Sequence, residues 1–178
     1  MLLANIEKAL FISAHPDDTE FGAGGLFKLL LDKGIDVHLL VLSNPTISMP
    51  EGSASDRAII EQENSARVLG LKNKIEFHDF PVRRFSEYRQ DILEILVRVN
   101  RELKPDLVVT HSINDYHQDH NLIAMEARRA FKQQTLLGYT HPWNTRAMVG
   151  NIFFELTEEI VKTKIAAISQ FESQTMRS

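Results

Sequence analysis

The chain has 178 residues, of which 43% are hydrophobic and 25% are charged, and we expect residues 1–178 to form a single soluble domain. Its net charge is −4 and its lysines and arginines are scattered, which argues against a nucleic-acid surface. The chain contains no cysteine, so disulfides, thiolate metal ligands and a cysteine nucleophile are excluded, and any metal must be held by His, Asp or Glu.

The sequence shows neither a membrane segment nor a targeting signal. No apolar run approaches the roughly 20 residues that a membrane-spanning helix needs. The N-terminal stretch lacks a basic region and a small-residue cleavage site, so we interpret it as mature sequence. We therefore expect a cytoplasmic protein.

Short β-rich runs alternate with longer amphipathic stretches along the chain. The patterns predict strands over 8–14, 36–43, 74–80, 106–111 and 151–156. They predict helices over 19–34, 55–71, 86–105, 119–133 and 157–171, with a long loop over 44–55. This alternation is typical of an α/β sandwich built on a mainly parallel sheet.

Polar side chains cluster where two of the predicted strands end. Strand 8–14 leads into the motif HPDD (15–18), and strand 106–111 leads into HSINDYHQDH (111–120), which holds three of the seven histidines. Either stretch alone would be typical of a helix start with a polar cap. Because ligands bind beyond the carboxyl ends of strands in such sheets, the two together indicate a functional site.

The residue types in these two stretches fit a catalytic metal site. Two histidines and one carboxylate, with a position left for water, form a common zinc shell. His15, Asp18 and His120 would supply this shell. Asp17, which is not a ligand, would accept the proton of the water.

A further histidine and two carboxylates of the second stretch are available for other roles. His117 and His120 are three residues apart, which suits two rings directed toward one point at a helix start. His117 would stabilise the oxyanion or protonate the leaving group. Asp119 or Asp115 would orient His117.

Other motifs are weaker. The glycines at 22, 24 and 25 do not form the dinucleotide fingerprint, since Phe27 occupies the third glycine position, and we interpret them as sites of close packing or space for a ligand. A P-loop and a serine-hydrolase elbow are absent from the sequence. A phosphoesterase would more naturally need two metals than one three-ligand set.

The two motifs together resemble those of the LmbE-like (PIG-L) zinc-dependent N-deacetylases. The resemblance rests on AHPDDTEFGAGG (14–25) and HSINDYHQDHN (111–121), with SARVLGL, KPDLVVTH and KIAAISQFESQ in the expected order. It implies a Rossmann-like three-layer fold. It also implies hydrolysis of an N-acetyl group on an amino-sugar conjugate of N-acetylglucosamine type, with Zn²⁺ as the usual metal and Fe²⁺ as a possible substitute.

The resemblance also assigns roles to individual residues. It implies that the metal ligands are His15, Asp18 and His120, that Asp17 is the general base, that His117 stabilises the oxyanion or protonates the leaving amine, and that Asp119 supports His117. Family members commonly have proline where Gln118 stands. They usually continue beyond the point where this chain ends, so the C-terminal part is either compact or trimmed.

Candidate substrate contacts are less specific. Arg57 would meet a hydroxyl, carboxylate or phosphate, and Ser43 and Asn44 would bind sugar hydroxyls at the same sheet edge. Trp143 would stack on a sugar face or serve packing, and His141 would approach the site. A homo-oligomer is expected. The alternative function is a non-catalytic sugar- or nucleotide-binding module of the same fold.

Overall fold

Five parallel strands form one central sheet in the computed structural model, which describes residues 3–43, 57–145 and 150–175. The strand order is β3-β2-β1-β4-β5. The strands are β1 Lys8–Ser13, β2 Asp36–Val41, β3 Ile75–Phe77, β4 Leu107–His111 and β5 Thr135–Tyr139. The predicted α/β architecture with a parallel sheet is therefore confirmed.

Helices cover both faces of this sheet and make three layers. They are α1 Asp18–Asp32, α2 Arg57–Leu69, α3 Arg89–Leu103, α4 Gln118–Ala130, α5 Glu158–Ile168 and the short α6 Glu172–Thr175. Side chains alternate along β1, so that Phe11 packs toward α1, α2 and α5 while Ile12 packs toward α3 and α4. Because both faces are covered, the central strands are apolar almost throughout.

The prediction of a strand over 151–156 is wrong, and β5 was missed. The described segment 150–156 has no regular secondary structure, and Phe153 within it is 84% exposed. The true fifth strand, Thr135–Tyr139, is short and contains Gly138, so its sequence lacks the β-branched run that marks strands. Apolar character alone therefore did not separate an edge strand from an irregular segment.

The strand order places the two polar motifs side by side. The chain moves from β1 outward to β2 and β3, and then crosses back so that β4 pairs with the other side of β1. The carboxyl ends of β1 and β4 therefore meet at the point where the strand order reverses, where α/β sheets bind their ligands. Among the helices of the described segments, none has the length and apolar character to cross a membrane.

Candidate metal and catalytic site

The turn between β1 and α1 holds the first half of the site. The His15 backbone N–H donates to Asp18 Oδ2 over 2.8 Å, which closes the turn over Pro16. Asp17 is the residue before α1 and adopts the left-handed conformation, with φ 87° and ψ −26°. A non-glycine residue in this region is uncommon and is typical of positions held by their surroundings.

The start of α4 holds the second half. His117 caps this helix, since its Nδ1 accepts the Asp119 backbone N–H at 3.3 Å. The Asp115 carboxylate accepts the His117 backbone N–H at 2.8 Å and so shapes the loop before the cap. His120 then lies in the first helical turn, 3% exposed.

The three predicted metal ligands come together around one point. His15 Nδ1 lies 3.4 Å from Asp18 Oδ2 and 3.3 Å from His120 Nε2, and Asp18 Oδ1 lies 3.3 Å from His120 Nε2. Donor atoms about 2.0–2.1 Å from a tetrahedral zinc ion are about 3.3–3.4 Å apart. The donor types and their spacing therefore fit a small divalent cation such as Zn²⁺.

Each of the two histidines is oriented by a buried carboxylate. His15 Nε2 lies 3.0 Å from Asp119 Oδ2, and His120 Nδ1 lies 3.0 Å from Asp115 Oδ2. When each ring is neutral, the nitrogen bonded to the carboxylate carries the proton, and the lone pair of the other nitrogen can bind a metal, which on His15 would replace the second proton. This arrangement of imidazoles backed by carboxylates is usual at metal centres.

The Asp119 carboxylate contacts His15, not His117 as the resemblance implied. Besides His15, it accepts the backbone N–H groups of Arg83, at 2.6 Å, and Phe85, at 3.4 Å. Only the backbone N–H of Asp119 reaches the His117 ring. Asp115, named as the other candidate to orient His117, orients its backbone and the ring of His120.

The electrostatics of the site favour a bound positive charge. Burial opposes charge on His15, but its hydrogen bonds to Asp119 and Asp18 outweigh this effect and raise its pKa to about 9. Burial also opposes charge on Asp18 and on its own would raise the pKa of this carboxyl. The nearby imidazoles of His111 and His120 nevertheless hold that pKa well below its usual range. The carboxylates thus keep a proton on His15, and a cation would occupy the same negative field.

His117 is held neutral and in one tautomer. Burial, together with the neighbouring rings of His120 and His15, lowers its pKa to about 4. Because Nδ1 accepts the Asp119 backbone N–H, the single ring proton lies on Nε2. Its ring centroid lies 4.3 Å from that of His120, so this N–H is a hydrogen-bond donor beside the metal donors.

Gln62 on α2 supports Asp17, a contact that no sequence motif indicated. Gln62 Oε1 accepts the Asp17 backbone N–H at 3.0 Å, and Gln62 Nε2 donates to Glu20 Oε1 at 2.6 Å. Gln62 and Glu20 are fully buried, and burial raises the pKa of Glu20 to about 7. This chain of contacts fixes the left-handed backbone of Asp17 from outside its own loop.

A second layer of buried histidines lies beneath Asp18. His111 Nε2 accepts the Ala14 backbone N–H at 3.0 Å and lies 3.4 Å from Asp18 Oδ2. His141 Nε2 lies 3.1 Å from the Asp18 carbonyl oxygen, so it donates to that oxygen. Asp18, His111, His120 and His141 form one buried cluster of groups able to bind metal, so the expectation that His141 approaches the site is confirmed.

Comparison with known proteins agrees with this geometry. Residues 10–131 match the model of the family described as PIG-L, GlcNAc-PI de-N-acetylase. The chain belongs to the PIG-L family. The match spans the strands and helix starts that carry both polar motifs.

Individual relatives of the PIG-L family extend the comparison. A diacetylchitobiose deacetylase of Thermococcus kodakarensis is 28% identical, with 96% of this chain and 71% of the relative covered. A 4-oxalmesaconate hydratase of Pseudomonas putida is 32% identical over 68% of this chain and 52% of the relative. The structure of an N,N'-diacetylchitobiose deacetylase from Pyrococcus horikoshii superposes with a TM-score of 0.77 at 23% identity, covering 97% of this chain and 72% of that one, which shows a shared fold.

The structure gives less support to the three predicted substrate-binding residues than to the predicted metal ligands. The Arg57 guanidinium pairs with Glu61 at 2.8 Å and with Glu172 at 3.6 Å, so it is engaged with α6. Ser43 is fully buried, and its hydroxyl has no hydrogen-bond partner within the described segments. Asn44 lies outside the described residues. A role for any of the three in binding substrate stays a prediction.

Proposed function

We propose that this PIG-L protein is a metal-dependent N-deacetylase that removes the acetyl group from an N-acetylated amino-sugar conjugate. In this proposal His15, Asp18 and His120 hold Zn²⁺, and Fe²⁺ would accept the same donors. The observation that carries it is the 3.3–3.4 Å spacing between donor nitrogens of two imidazoles and the two oxygens of one carboxylate. The deacetylase named among the relatives supports the choice of reaction.

When bound, the metal ion would supply Lewis-acid polarisation of the amide carbonyl and of a water. Asp17 takes a proton from the water while the water oxygen attacks the carbonyl carbon. The Nε2–H of His117 donates a hydrogen bond to the oxygen on which negative charge develops. Asp17 then returns its proton to the amide nitrogen, and the C–N bond breaks. The acetic acid so formed passes its proton to the amine, and acetate and the protonated amine leave.

The hydrogen bonding of His117 favours one of its two expected roles. An imidazolium that protonates the leaving amine would carry hydrogen on both nitrogens, and Nδ1 could then no longer accept the Asp119 backbone N–H. Its pKa, lowered to about 4 by burial and by neighbouring rings, disfavours the charged form as well. We therefore assign oxyanion stabilisation to His117 and both proton transfers to Asp17.

A hydratase is the second candidate, because one relative bears that name. Addition of water to a carbon–carbon double bond would need the same proton acceptor but would release no amine. A non-catalytic sugar- or nucleotide-binding module is the remaining alternative. Such a module has no need of a second carboxylate, Asp17, next to the predicted ligand Asp18 in the sequence.

The test is amine release from a panel of N-acetylglucosamine conjugates by the zinc-loaded protein. Asp17→Asn is expected to lower kcat by about 10²- to 10⁴-fold at unchanged metal content, because it removes the proton acceptor without removing a ligand. Asp91→Asn, an exposed carboxylate at the start of α3, is the matched control. Absence of amine from every conjugate would contradict the proposal, and water addition to an unsaturated acid would favour the hydratase.

A further inference from the structure

Trp143, the only tryptophan in the chain, is a large apolar side chain that is exposed. It lies in a 3₁₀ turn, Pro142–Asn144, which follows β5, and it is 66% exposed. Exposure of this extent excludes a role in the core. Large aromatic side chains that remain open to solvent are typical of contact sites, since tryptophan combines apolar area with low conformational freedom.

One face of the indole is held by the protein. The ring lies parallel to that of His141, at a centroid distance of 5.2 Å and an interplanar angle of 7°. Phe21 meets the indole edge-on at 5.6 Å and 87°. His141 lies against one face, and the 66% exposure of Trp143 leaves much of the remaining ring surface accessible. The ring is therefore a flat, supported and accessible surface.

This surface is fixed to the same elements as the candidate metal donors. His141 is buried and donates to the Asp18 carbonyl oxygen at 3.1 Å, and its ring centroid lies 5.4 Å from that of His120. The Tyr116 backbone N–H donates to the Asn144 carbonyl oxygen at 2.9 Å, which ties the tryptophan turn to the loop before α4. The His141 ring thus contacts both Trp143 and His120, a predicted metal ligand.

We propose that Trp143 is a stacking platform for a second ring of the substrate, a pyranose attached to the acetylated amino sugar. The C–H groups on one face of a pyranose form an apolar surface that packs against an aromatic face, while its hydroxyls remain in water. The contacts that run from the indole through His141 to the Asp18 carbonyl oxygen tie this surface to the end of the sheet that holds the candidate metal donors. This inference rests on the proposed function for the position of the acetylated unit.

The single tryptophan allows a direct binding measurement. Intrinsic fluorescence of the Asp17→Asn variant, which should bind without turnover, reports on Trp143 alone. We expect N,N'-diacetylchitobiose to give a saturable change at a concentration about tenfold or more below that needed with N-acetylglucosamine. No change at concentrations that saturate wild-type turnover, or at the solubility limit where no turnover occurs, would overturn the platform.

Kinetics provide the second arm. Trp143→Ala should raise KM for the disaccharide about tenfold and leave its kcat, and the kcat/KM of the monosaccharide, within about twofold. Trp143→Phe should retain most of the affinity, and Ile165→Ala, an exposed apolar side chain on α5, is the control for surface truncation. An equal loss on both sugars would overturn the platform.

The outcomes separate this inference from the proposed function. Failure of the wild-type protein to release amine from either sugar would contradict the deacetylase, and the fluorescence titration would still decide whether a sugar ring binds at Trp143. Amine release without a fluorescence response would retain the deacetylase and overturn the platform. A shift of the fluorescence spectrum with protein concentration in the absence of sugar would identify Trp143 as a contact between copies of this chain. That result would also overturn the platform.

Discussion

Gly22 on α1 is the position where the structure predicts the sharpest effect of a single methyl group. A Cβ added there would lie 2.2 Å from Tyr139 Cδ2 and 2.8 Å from Cε2. Tyr139 is 7% exposed, and its hydroxyl lies 3.3 Å from the Ile12 carbonyl oxygen and 3.2 Å from His111 Nε2. Because the ring is rigid and held at both ends, Gly22→Ala must displace it.

The size of the effect follows from two opposing contributions. Overpacking a filled core costs about 1–3 kcal/mol, and weakening the hydroxyl contacts adds about 0.5–1.5 kcal/mol. Replacing glycine by alanine inside a helix returns about 1 kcal/mol. We expect the free energy of unfolding to fall by about 0.5–3.5 kcal/mol, and Tm to fall by about 2–4 °C for each kcal/mol.

Gly24→Ala is the matched control, since it lies two residues further along the same helix. Its added Cβ would meet Lys164 Cγ at 3.3 Å, part of a flexible side chain that can move. The helix-propensity gain is the same in both variants, so their difference in urea denaturation reports chiefly the displacement of the Tyr139 ring, set against a smaller adjustment of Lys164. A Gly22→Ala variant as stable as Gly24→Ala would refute this account of the interface between α1 and β5.

Three further substitutions test other contacts. Asp115→Asn should weaken metal affinity by about 10- to 100-fold in a chelator competition, because Asp115 orients the His120 ring. Gln62→Met should lower kcat for amine release about tenfold with KM unchanged, because Asp17 loses the acceptor of its backbone N–H. Glu61→Ala should lower the free energy of unfolding in urea by about 2–4 kcal/mol, because its carboxylate accepts three hydrogen bonds, two of them from α6.

Glu63, exposed on the same helix as Gln62 and Glu61, provides a common control. Glu63→Ala should leave metal affinity, kcat and the unfolding free energy close to those of the wild-type protein. Unchanged metal affinity in Asp115→Asn would show that the carboxylate does not tune His120. A Gln62→Met variant with the kcat of the wild-type protein would show that Gln62 does not position Asp17. A Glu61→Ala variant with an unchanged free energy of unfolding would show that α6 is held by other contacts.

The candidate metal donors were predictable because each lies between the carboxyl end of a strand and the first turn of the next helix. His15 and Asp18 come after β1, and His120 lies in the first turn of the helix after β4, so the sheet order brings them to the same edge. Nothing comparable marks Gln62, whose contact with Asp17 joins residues 45 positions apart through the packing of α2. Sequence patterns describe the periodicity of one element, whereas such contacts depend on how two elements pack.

The pairing of carboxylates with imidazoles could not be derived from spacing either. Asp115, Asp119 and the histidines around them lie within a few residues, so several pairings satisfy the sequence equally well. The structure resolves them through the direction of each side chain, with Asp119 reaching His15 across the site and Asp115 reaching His120 five residues later. Local turn geometry, which a linear spacing does not contain, decides which carboxylate supports which ring.

The glycines after the HPDD motif connect the packing of α1 to the chemistry of the site. Because Gly22 has no Cβ, Tyr139 of β5 can lie against α1, and its hydroxyl reaches His111. His111 in turn accepts the Ala14 backbone N–H and lies beside Asp18. A glycine cluster that superficially suggests phosphate binding thus lets an edge strand approach closely enough to support the carboxylate proposed to hold the metal.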